Sequence, residues 1–281
     1  MKIGIIGGGR VGSCLAGYLA KQEALVGITA STAQNSLALA QAFGTTPCTN
    51  AELLAKAQIL LLTVPDRLIS QVAEELAVTC SSKDLMGKVV LHCSGSLGLE
   101  PLAALAQAGA HVGSMHPLQS FAGGRTALAG VYMAVDGDPE ALVAAEKLAF
   151  ALGGHPFHVP AEERAAYHAA ACICSNYAVT VEALAQGLMS RWIGSREAAW
   201  QALLPLFKGT AANLEAASHA GSVLTGPIAR GDVGTVAKHL AVLPEDLQKI
   251  YRVLGRVTVQ VALENSTIDA KTATELERLL H

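Results

Sequence analysis

IGIIGGGRVG, the sequence of residues 3–12, places a glycine-rich turn between an apolar strand and a helix that follows Arg10. The spacing Gly7-x-Gly9-x-x-Gly12 is typical of a dinucleotide-binding strand–helix–strand unit. There the first glycine permits a tight turn, the second lets the backbone approach a diphosphate, and the third lets the helix pack closely on the strand. Free N–H groups and the positive end of the helix dipole then face the phosphates. A glycine turn without a ligand and a site for S-adenosylmethionine are the alternatives.

Apolar strands alternate with helices through the first 159 residues. Because each strand is apolar on both faces, the pattern predicts an α/β fold with a parallel sheet covered by helices on both sides. From Glu162 no strand signal remains, and Ala/Leu-rich segments predict helices. We therefore predict a Rossmann dinucleotide-binding domain at residues 1–159 and an all-helical domain at residues 160–281. The predicted strands are 2–6, 24–30, 58–64, 88–93, 111–115, 131–135 and 155–159, and the predicted helices of the second domain are 162–190, 195–219, 233–242, 244–264 and 269–280.

The composition narrows the class of protein. Of 281 residues, 51% are hydrophobic and only 15% are charged, which leaves little polar surface for a monomer, so we expect a homodimer. The net charge is −3 without any block of Lys and Arg, which argues against a nucleic-acid partner. The six cysteines show neither zinc-type nor disulfide spacing, so we expect free thiols, no metal and a cytoplasmic protein. The uncharged stretch 165–181 holds His168 and Asn176 and is interpreted as a buried helix, not as a membrane span.

The residues after the second predicted strand bear on the choice between NAD and NADP. An NAD site usually places Asp or Glu there, where it binds the ribose 2′-hydroxyl. Here residues 30–35 are ASTAQN, with no acid. The hydroxyls of Ser31 and Thr32 suit a 2′-phosphate, and Arg10 extends from the glycine turn, so we favour NADP and keep NAD as the alternative. Ser31 and Thr32 also suit a helix cap, a role that is compatible with binding.

Polar residues follow further strands at the edge where open α/β sheets bind their ligands. Val64-Pro65-Asp66 ends the third predicted strand, and Ser94 follows the fourth. We assign these residues to the cofactor site, together with Val11 of the glycine turn. Turn chemistry alone is the alternative for Asp66 and Ser94.

His116 lies at a third strand end, directly before Pro117, and is the leading candidate for proton transfer. An imidazole has a pKa that suits proton exchange with a carbonyl or an alcohol. Gln119, three residues further on, is a candidate substrate contact. A plain buried histidine is the alternative for His116.

A polar stripe follows the predicted domain boundary. His168, Cys172 and Asn176 are spaced four residues apart, so at about 100° per residue they share one face of a helix. Polar groups on such an apolar helix need partners or a ligand, so we expect them to line the site; a satisfied core network is the alternative. One His, one Cys and an amide make a poor ligand set for a metal.

The segment LTGPIARGD, residues 224–232, combines cap residues with a cation. Thr225 is expected to cap a short helix with Pro227 in its first turn, and Asp232 to cap the next helix. Neither role explains Arg230, whose guanidinium suits a carboxylate or a phosphate. Thr225 and Arg230 are therefore candidate substrate contacts.

Six motifs together carry a family resemblance: GIIGGGRVG, TVPD, HCSGSLG, GSMHPLQSF, YHAAACICSNY and LTGPIARGD, in this order. The chain resembles the Rossmann-like proteins with a carboxyl-terminal helical domain of unknown function, which are commonly described as NADP oxidoreductases. The resemblance implies a fold like that of 6-phosphogluconate dehydrogenase and pyrroline-5-carboxylate reductase, with a helical substrate and dimerisation domain. The amino-terminal half is also similar to deazaflavin-dependent NADP reductases, and His116-Pro117 is similar to an element of prephenate dehydrogenases.

One departure limits what the resemblance implies. β-Hydroxyacid dehydrogenases of similar architecture place a catalytic Lys four residues before an Asn, and this chain has Cys172 four residues before Asn176. A thiol cannot act as that cationic acid, so His116 or His168 has to supply the proton.

The prediction is therefore a hydride transfer between a nicotinamide cofactor and a small C=O or C=N substrate, in a cleft between the two domains. His116, His168 and Asn176 are the candidate catalytic residues, and Gln119 and Cys172 are candidate substrate contacts. A non-catalytic NAD(P)-binding regulator is the main alternative, and a methyltransferase is the third.

Overall fold

The computed structural model describes residues 1–123 and 126–281. The chain divides into two compact units, Met1–Tyr177 and Ala178–His281. The predicted boundary between residues 159 and 160 falls directly after the last strand, whereas the next helix belongs to the first unit. That domain boundary stays a prediction.

The first unit is built on one sheet. Its strands are β1 (Ile3–Ile6), β2 (Leu25–Thr29), β3 (Ile59–Leu62), β4 (Val89–His92), β5 (His111–Pro117), β6 (Tyr132–Gly137) and β7 (His155–His158). Their order across the sheet is β2-β1-β3-β4-β5-β6-β7. Because the chain moves outward from β1 to β2 and then crosses to the other side with β3, the carboxyl ends of these strands form a switch point of the kind where open α/β sheets bind ligands.

The sheet is parallel except at one pair of strands. β5 and β6 run antiparallel, with Ser114 opposite Asp136 and His116 opposite Ala134. The fully parallel sheet that the sequence predicts is therefore wrong at this place. A parallel pair needs a crossover connection, usually a helix, and the described part of the chain between β5 and β6 contains no helix.

Helices pack on both faces of the sheet. Those of the first unit are α1 (Arg10–Lys21), α2 (Ala33–Ala42), α3 (Asn50–Lys56), α4 (Asp66–Thr79), α5 (Ser82–Leu85), α6 (Ala103–Gln107), α7 (Pro139–Ala151) and α8 (Arg164–Cys172). The short helices α3 and α5 are not among the predicted ones. Each begins with a capping box, Thr49 with Glu52 and Ser81 with Asp84, and this spacing is the sequence signal that indicates them.

Two apolar clusters hold the first unit together, one on each face of the sheet. Ile3 and Ile5 of β1 belong to the cluster that contains Leu15 of α1 and Leu148 of α7. Ile6, which points to the opposite face, belongs to the cluster formed with α3, α4 and α6. Both faces are therefore buried, as the doubly apolar strands predict.

The second unit is all-helical, as predicted. Its helices are α9 (Ala178–Ile193), α10 (Arg196–Ala216), α11 (Val233–Val242), α12 (Glu245–Glu264) and α13 (Ala270–Leu280). A buried cluster joins α11, α12 and α13 around Val236, Val259 and Leu276. No helix within residues 1–123 and 126–281 is long and apolar enough to cross a membrane.

The cap predictions for residues 225–232 have different outcomes. Asp232 caps α11, because its carboxylate accepts a hydrogen bond from Thr235 N at 2.9 Å. The short helix expected after Thr225 is wrong: residues 226–231 form turns, in which Arg230 N donates to Gly226 O at 3.3 Å. Gly226 and Gly231 have φ angles of +96° and +68°, a backbone that turns the chain and does not continue a helix.

Candidate active site

The glycine turn has the geometry that the sequence predicts. Gly7 has φ +118°, and a Cβ there would lie 2.7 Å from the backbone of Thr63. A Cβ on Gly12 would lie against Gly7 O and 2.5 Å from Thr63 Oγ1, so only glycine lets α1 pack on this strand end. At Gly9, by contrast, the nearest atom to a Cβ is Thr63 O at 4.0 Å. Gly7 and Gly12 therefore shape the turn, while Gly9 leaves open space above the start of α1.

That open space fits a diphosphate. Gly9 is the N-cap residue of α1, and within residues 1–123 and 126–281 no side chain caps the helix. The first turn of α1, which contains Arg10 and Val11, holds no acidic residue. The amino end of the helix is thus uncovered and positive, and an anion suits it.

The residues after β2 lack an acid, as the sequence shows. Thr32 Oγ1 accepts a hydrogen bond from Asn35 N at 3.1 Å, so Thr32 caps α2. Ser31 is exposed. The guanidinium of Arg10 is also exposed and donates to Phe121 O at 3.4 Å. A cavity of about 920 Å³ extends from Gly9 and Arg10 along α1.

The ends of β3 and β4 meet through a hydroxyl–carboxylate contact. Val64 is half-buried, and Pro65 and Asp66 are exposed at the start of α4. The buried Ser94 donates through Oγ to Asp66 Oδ2 at 2.7 Å, and Ser96 Oγ donates to the same oxygen at 3.2 Å. Because Ser94 Oγ also accepts the N–H of Ser96 at 3.2 Å, it shapes this loop. The turn interpretation of Asp66 and Ser94 therefore has a structural basis, which does not conflict with a place beside the cofactor.

His92 is a buried residue of this edge that the sequence interpretation missed. Ser94 N donates to its Nδ1 at 3.2 Å, which leaves the proton on Nε2, 2.8 Å from Gly98 O. Burial lowers the pKa of His92 below its ordinary value, in keeping with a neutral ring that has both nitrogens engaged. His92 therefore supports the loop that carries Ser94.

A polar row crosses the sheet beneath the predicted site. His92 lies beside Ser114, and Ser114 lies opposite Asp136, so these three side chains share one face. Arg164, the first residue of α8, is 1% exposed and donates from Nη2 to Ser114 Oγ. Burial lowers the pKa of Arg164, and the charge of Asp136 opposes that effect. Arg164 is a second residue that the sequence interpretation missed.

The two predicted histidines lie together, with Tyr167 as a third member. His116 Nδ1 is 2.7 Å from Tyr167 OH, and the His116 and His168 rings have centroids 5.8 Å apart. A Cβ on Gly95 would lie 2.6 Å from His168 Nδ1 and 2.9 Å from His116 Nε2, so both rings need the glycine. Tyr167 and His168 follow Arg164 on α8 by three and four residues, so both share a helix face with Arg164, and this spacing is the sequence signal for the missed Arg164 and Tyr167.

The surroundings of this cluster keep both His116 and Tyr167 neutral near pH 7. Burial, followed by the charges of His168 and Arg164, lowers the pKa of His116 to about 4. Burial raises the pKa of Tyr167 to about 12, against the smaller effect of Arg164. A neutral phenol and a neutral imidazole therefore share the 2.7 Å hydrogen bond.

The other predicted site residues are more scattered. Gln119 is exposed, and its Oε1 accepts from Ser120 N at 2.8 Å. Cys172 is half-buried at the end of α8. Asn176 is exposed and lies in a π-helical turn, Ile173–Tyr177, so the uninterrupted α-helical face through residues 168, 172 and 176 is wrong beyond Cys172. The π turn interrupts a helix in which the sequence shows only α-helical periodicity. Such turns are frequent at functional sites.

Thr225 and Arg230 belong to the second unit. Arg230 lies with Thr267 and Asp269 around an open depression of about 530 Å³. A further group in the first unit, His111 with Asp138 and Glu140, has the residue types of a metal site. Both oxygens of Asp138 already accept backbone N–H groups, of Ala141 at 2.9 Å and Val112 at 2.8 Å, so this carboxylate acts as the cap of α7.

Comparison with known proteins identifies both parts of the chain. Residues 1–117 match a Rossmann-like domain, and residues 131–258 match a domain of unknown function, DUF2520. The two matches follow one another in the order that the resemblance seen in the sequence implies, and they confirm that resemblance. The sequence has no match among curated proteins.

Solved structures share the fold across nearly the whole chain. A "putative NADP oxidoreductase" from Bacteroides fragilis is 21% identical with a TM-score of 0.73, covering 92% of this chain and 97% of that one. Pyrroline carboxylate reductase from Plasmodium falciparum with NADP bound is 15% identical with a TM-score of 0.60, covering 100% and 98%. Reductive aminase from Aspergillus terreus, in complex with NADPH and ethyl-5-oxohexanoate, is 15% identical with a TM-score of 0.59, covering 99% and 92%. At these identities the likeness concerns the fold.

Proposed function

From the matches to a Rossmann-like domain and a DUF2520 domain, we propose an NADP-dependent oxidoreductase that transfers a hydride between the nicotinamide ring and a small C=O or C=N substrate. One observation carries the proposal: α1 begins at an uncapped, positive turn in which Gly9 leaves open space. The structural relatives that contain NADP or NADPH support the same cofactor class.

The proposed cofactor site combines the turn with the neighbouring strand ends. Backbone amides at the start of α1 bind the diphosphate, and the loop after β2 faces the adenosine ribose. The missing acid in that loop, the exposed hydroxyl of Ser31 and the exposed cation Arg10 at the start of α1 favour a 2′-phosphate, hence NADP over NAD. The residues assigned to the cofactor are Gly7, Gly9, Arg10, Val11, Gly12, Ser31, Thr32, Val64, Pro65, Asp66 and Ser94.

When bound, the cofactor supplies or accepts the hydride; the chain's own residues handle the proton. We assign the O–H of Tyr167 as the donor to His116 Nδ1, which places the proton of the neutral imidazole on Nε2, on the side of His168. His116 and His168 then exchange a proton with the substrate oxygen or nitrogen as the hydride moves. Asn176, Gln119 and Cys172 are proposed to orient the substrate. The contacts predicted for Thr225 and Arg230, which belong to the second unit, stay predictions.

We further propose that the protein is a homodimer formed through the helical unit. Long helices in soluble proteins normally bury an apolar stripe. α9 has no buried residue and α10 has one, Ala199, and both helices carry exposed apolar side chains, such as Trp192 and Leu206, that lack cover within the second unit. A second copy supplies that cover.

The test of this function has two stages. Thermal unfolding of the purified protein with NADPH, NADH or S-adenosylmethionine is expected to show the largest stabilisation with NADPH, because a ligand that binds the folded state raises its stability. Oxidation of NADPH in the presence of small ketones, imines and oxo acids then identifies turnover. His116→Gln is expected to keep the NADPH affinity and to lose about a hundredfold or more in turnover, the typical size of general acid–base catalysis.

The outcomes separate the competing functions. Binding of S-adenosylmethionine alone assigns a methyltransferase. NADPH binding without oxidation by any carbonyl or imine assigns the non-catalytic regulator. A folded protein that binds neither NADPH nor NADH would contradict the proposal.

A further inference from the structure

The unsatisfied polar atoms of the molecule are concentrated at one place. Three buried side-chain nitrogens lack a hydrogen-bond partner in the described parts of the chain, and all three lie on α8: Arg164 Nε, Arg164 Nη1 and His168 Nδ1. Arg164 and His168 are four residues apart and therefore share one face of the helix. Since more than about nine in ten buried polar groups in proteins have a partner, three unpartnered nitrogens on one face point to a ligand.

Arg164 is also a buried cation, and Asp136 is the opposing charge that acts most on its pKa. Its side chain is 1% exposed, and its one hydrogen bond is to the neutral hydroxyl of Ser114. None of the ion pairs among residues 1–123 and 126–281 involves Arg164. Burying an unpaired charge opposes folding, so a group that pairs with this guanidinium stabilises the protein when it binds.

The unpartnered guanidinium nitrogens of Arg164 carry N–H groups, which can only donate a hydrogen bond. Ser114 and His116 lie two residues apart on the same face of β5, which places the guanidinium within one strand repeat of the proposed acid–base group. His168 Nδ1, four residues after Arg164, adds a third unpartnered nitrogen on the same face of α8. A carboxylate accepts hydrogen bonds only and matches the two-pronged geometry of a guanidinium.

We propose that Arg164 and His168 bind a carboxylate of the substrate, so that the substrates are small oxo or imino acids whose carboxylate adjoins the reducible C=O or C=N group. This inference rests on the proposed function and names its substrate class. Nε and Nη1 of Arg164 are enclosed in this conformation, so the guanidinium has to turn away from Ser114 to receive the carboxylate.

A bound carboxylate also changes the proton chemistry of His116. The charged and titratable groups that act on His116 are His168, Arg164 and His92, which lower its pKa, and Asp66, which raises it. A carboxylate on Arg164 offsets the positive charge next to the ring and moves the pKa of His116 upward. The site is thereby brought closer to proton transfer at neutral pH when the right substrate arrives.

The experiment compares two stable, planar probes of the same shape, pyrrole-2-carboxylate and pyrrole-2-carboxamide, on the full chain with NADPH; the amide is neutral and replaces one acceptor oxygen by an NH2 donor. Calorimetric titration is expected to show that the carboxylate binds and that the amide binds about tenfold or more weakly. Tenfold is the smallest loss of affinity expected when a hydrogen bond to a charged group is lost. Arg164→Gln is expected to remove this preference, whereas Arg164→Lys keeps part of it. Arg278→Gln, which replaces an exposed arginine of α13, serves as the matched control and keeps the wild-type preference.

A second readout on the wild-type protein does not depend on any variant folding. The ring-proton NMR signals of His116 are expected to titrate at a higher pH with the carboxylate than with the amide. Equal affinity for the two probes, no binding of the carboxylate at millimolar concentration, or an unchanged preference in a folded Arg164→Gln protein would each overturn the proposal. NADPH binding is measured separately: if it fails while the carboxylate preference persists, the redox function is wrong and the carboxylate site stands.

Discussion

At the scale of single residues, the imidazole of His116 is kept uncharged by its surroundings. Burial is the largest cause, and the charges of His168 and Arg164 add to it, so the folded pKa is about 4 instead of 6.5. In the unfolded chain the ring regains its ordinary pKa. Folding and protonation of this one residue therefore oppose each other.

This opposition predicts how stability depends on pH. The unfolded chain binds a proton at higher pH than the folded chain, so the stabilisation is complete above pH ~6.5 and is lost as the pH falls toward ~4. With about 1.4 kcal/mol per pKa unit, the loss approaches ~3 kcal/mol. Urea unfolding across this range measures it, and His116→Gln is expected to flatten the curve.

Two comparisons make that prediction specific. His92, whose pKa burial also lowers, contributes a smaller slope of the same sign that remains in His116→Gln. His281→Gln, which replaces an exposed histidine in the second unit, is the matched control substitution. An identical pH slope in wild type and His116→Gln would show that His116 is not buried in its neutral form.

The residues of the cluster differ in how far sequence indicates them. His116 stands out by its position before Pro117, and Tyr167 and Arg164 share a helix face with the predicted His168, so spacing alone can find them. Ser114 and Asp136 cannot be found in this way. They meet because β5 and β6 pair antiparallel in one register, and no local pattern encodes that register.

At the scale of elements, the glycine turn separates two roles that one motif combines. Gly9 has an ordinary extended backbone, with φ −68° and ψ −172°, and a methyl group there meets only open space. A methyl group on Gly12 meets Gly7 O and Thr63 Oγ1. Packing therefore requires glycine at position 12 but not at position 9, where the open space suits the proposed ligand role.

Alanine substitutions are expected to separate these roles. Gly9→Ala should leave the free energy of unfolding unchanged and weaken NADPH binding about tenfold or more, because the methyl group occupies the approach of the diphosphate. Gly12→Ala should lower the free energy of unfolding by about 3 kcal/mol or more, because the overpacked atoms are backbone and a strand-end hydroxyl. Urea unfolding and fluorescence titration with NADPH measure the two effects.

Gly17→Ala is the control for both substitutions. It lies on α1, its methyl group meets only Phe43 Cε1 at 3.7 Å, and alanine favours a helix over glycine, so neither stability nor affinity should fall. Undiminished NADPH affinity in Gly9→Ala would contradict diphosphate binding at this turn.

Most elements follow from the sequence, and the exceptions have physical causes. The apolar residues of the long segments repeat with the helical period, which predicts the five helices assigned to the second unit. Only this period places the apolar residues on one face of a helix. The sequence interpretation missed α3 and α5 because these helices are too short to show a period of apolar residues. The π turn at Ile173–Tyr177 escapes because it changes the hydrogen-bond pattern of the helix without changing its composition.

At the scale of the whole molecule, the exposed apolar side chains that the composition leads us to expect lie on particular helices. Trp192 of α9 is 71% exposed, and Leu206 of α10 is 70% exposed. Single exposed apolar residues are ordinary. Two consecutive helices that together contain only one buried residue are unusual. These exposed side chains indicate where the interface of the homodimer, which we expect from the low charge content, would lie.

A charge placed on that surface is expected to break the dimer. Leu206→Asp puts a carboxylate on the exposed face of α10, where burial against a second copy would leave it unpaired, so self-association should weaken by about a hundredfold. Sedimentation velocity over a range of protein concentrations measures the change. Val78→Asp is the matched control, because Val78 is 86% exposed on α4 and lies outside the proposed interface. A wild-type protein that sediments as a monomer at micromolar concentration, or a Leu206→Asp protein that still sediments as a dimer, would remove α10 from the interface and leave its apolar surface to another partner.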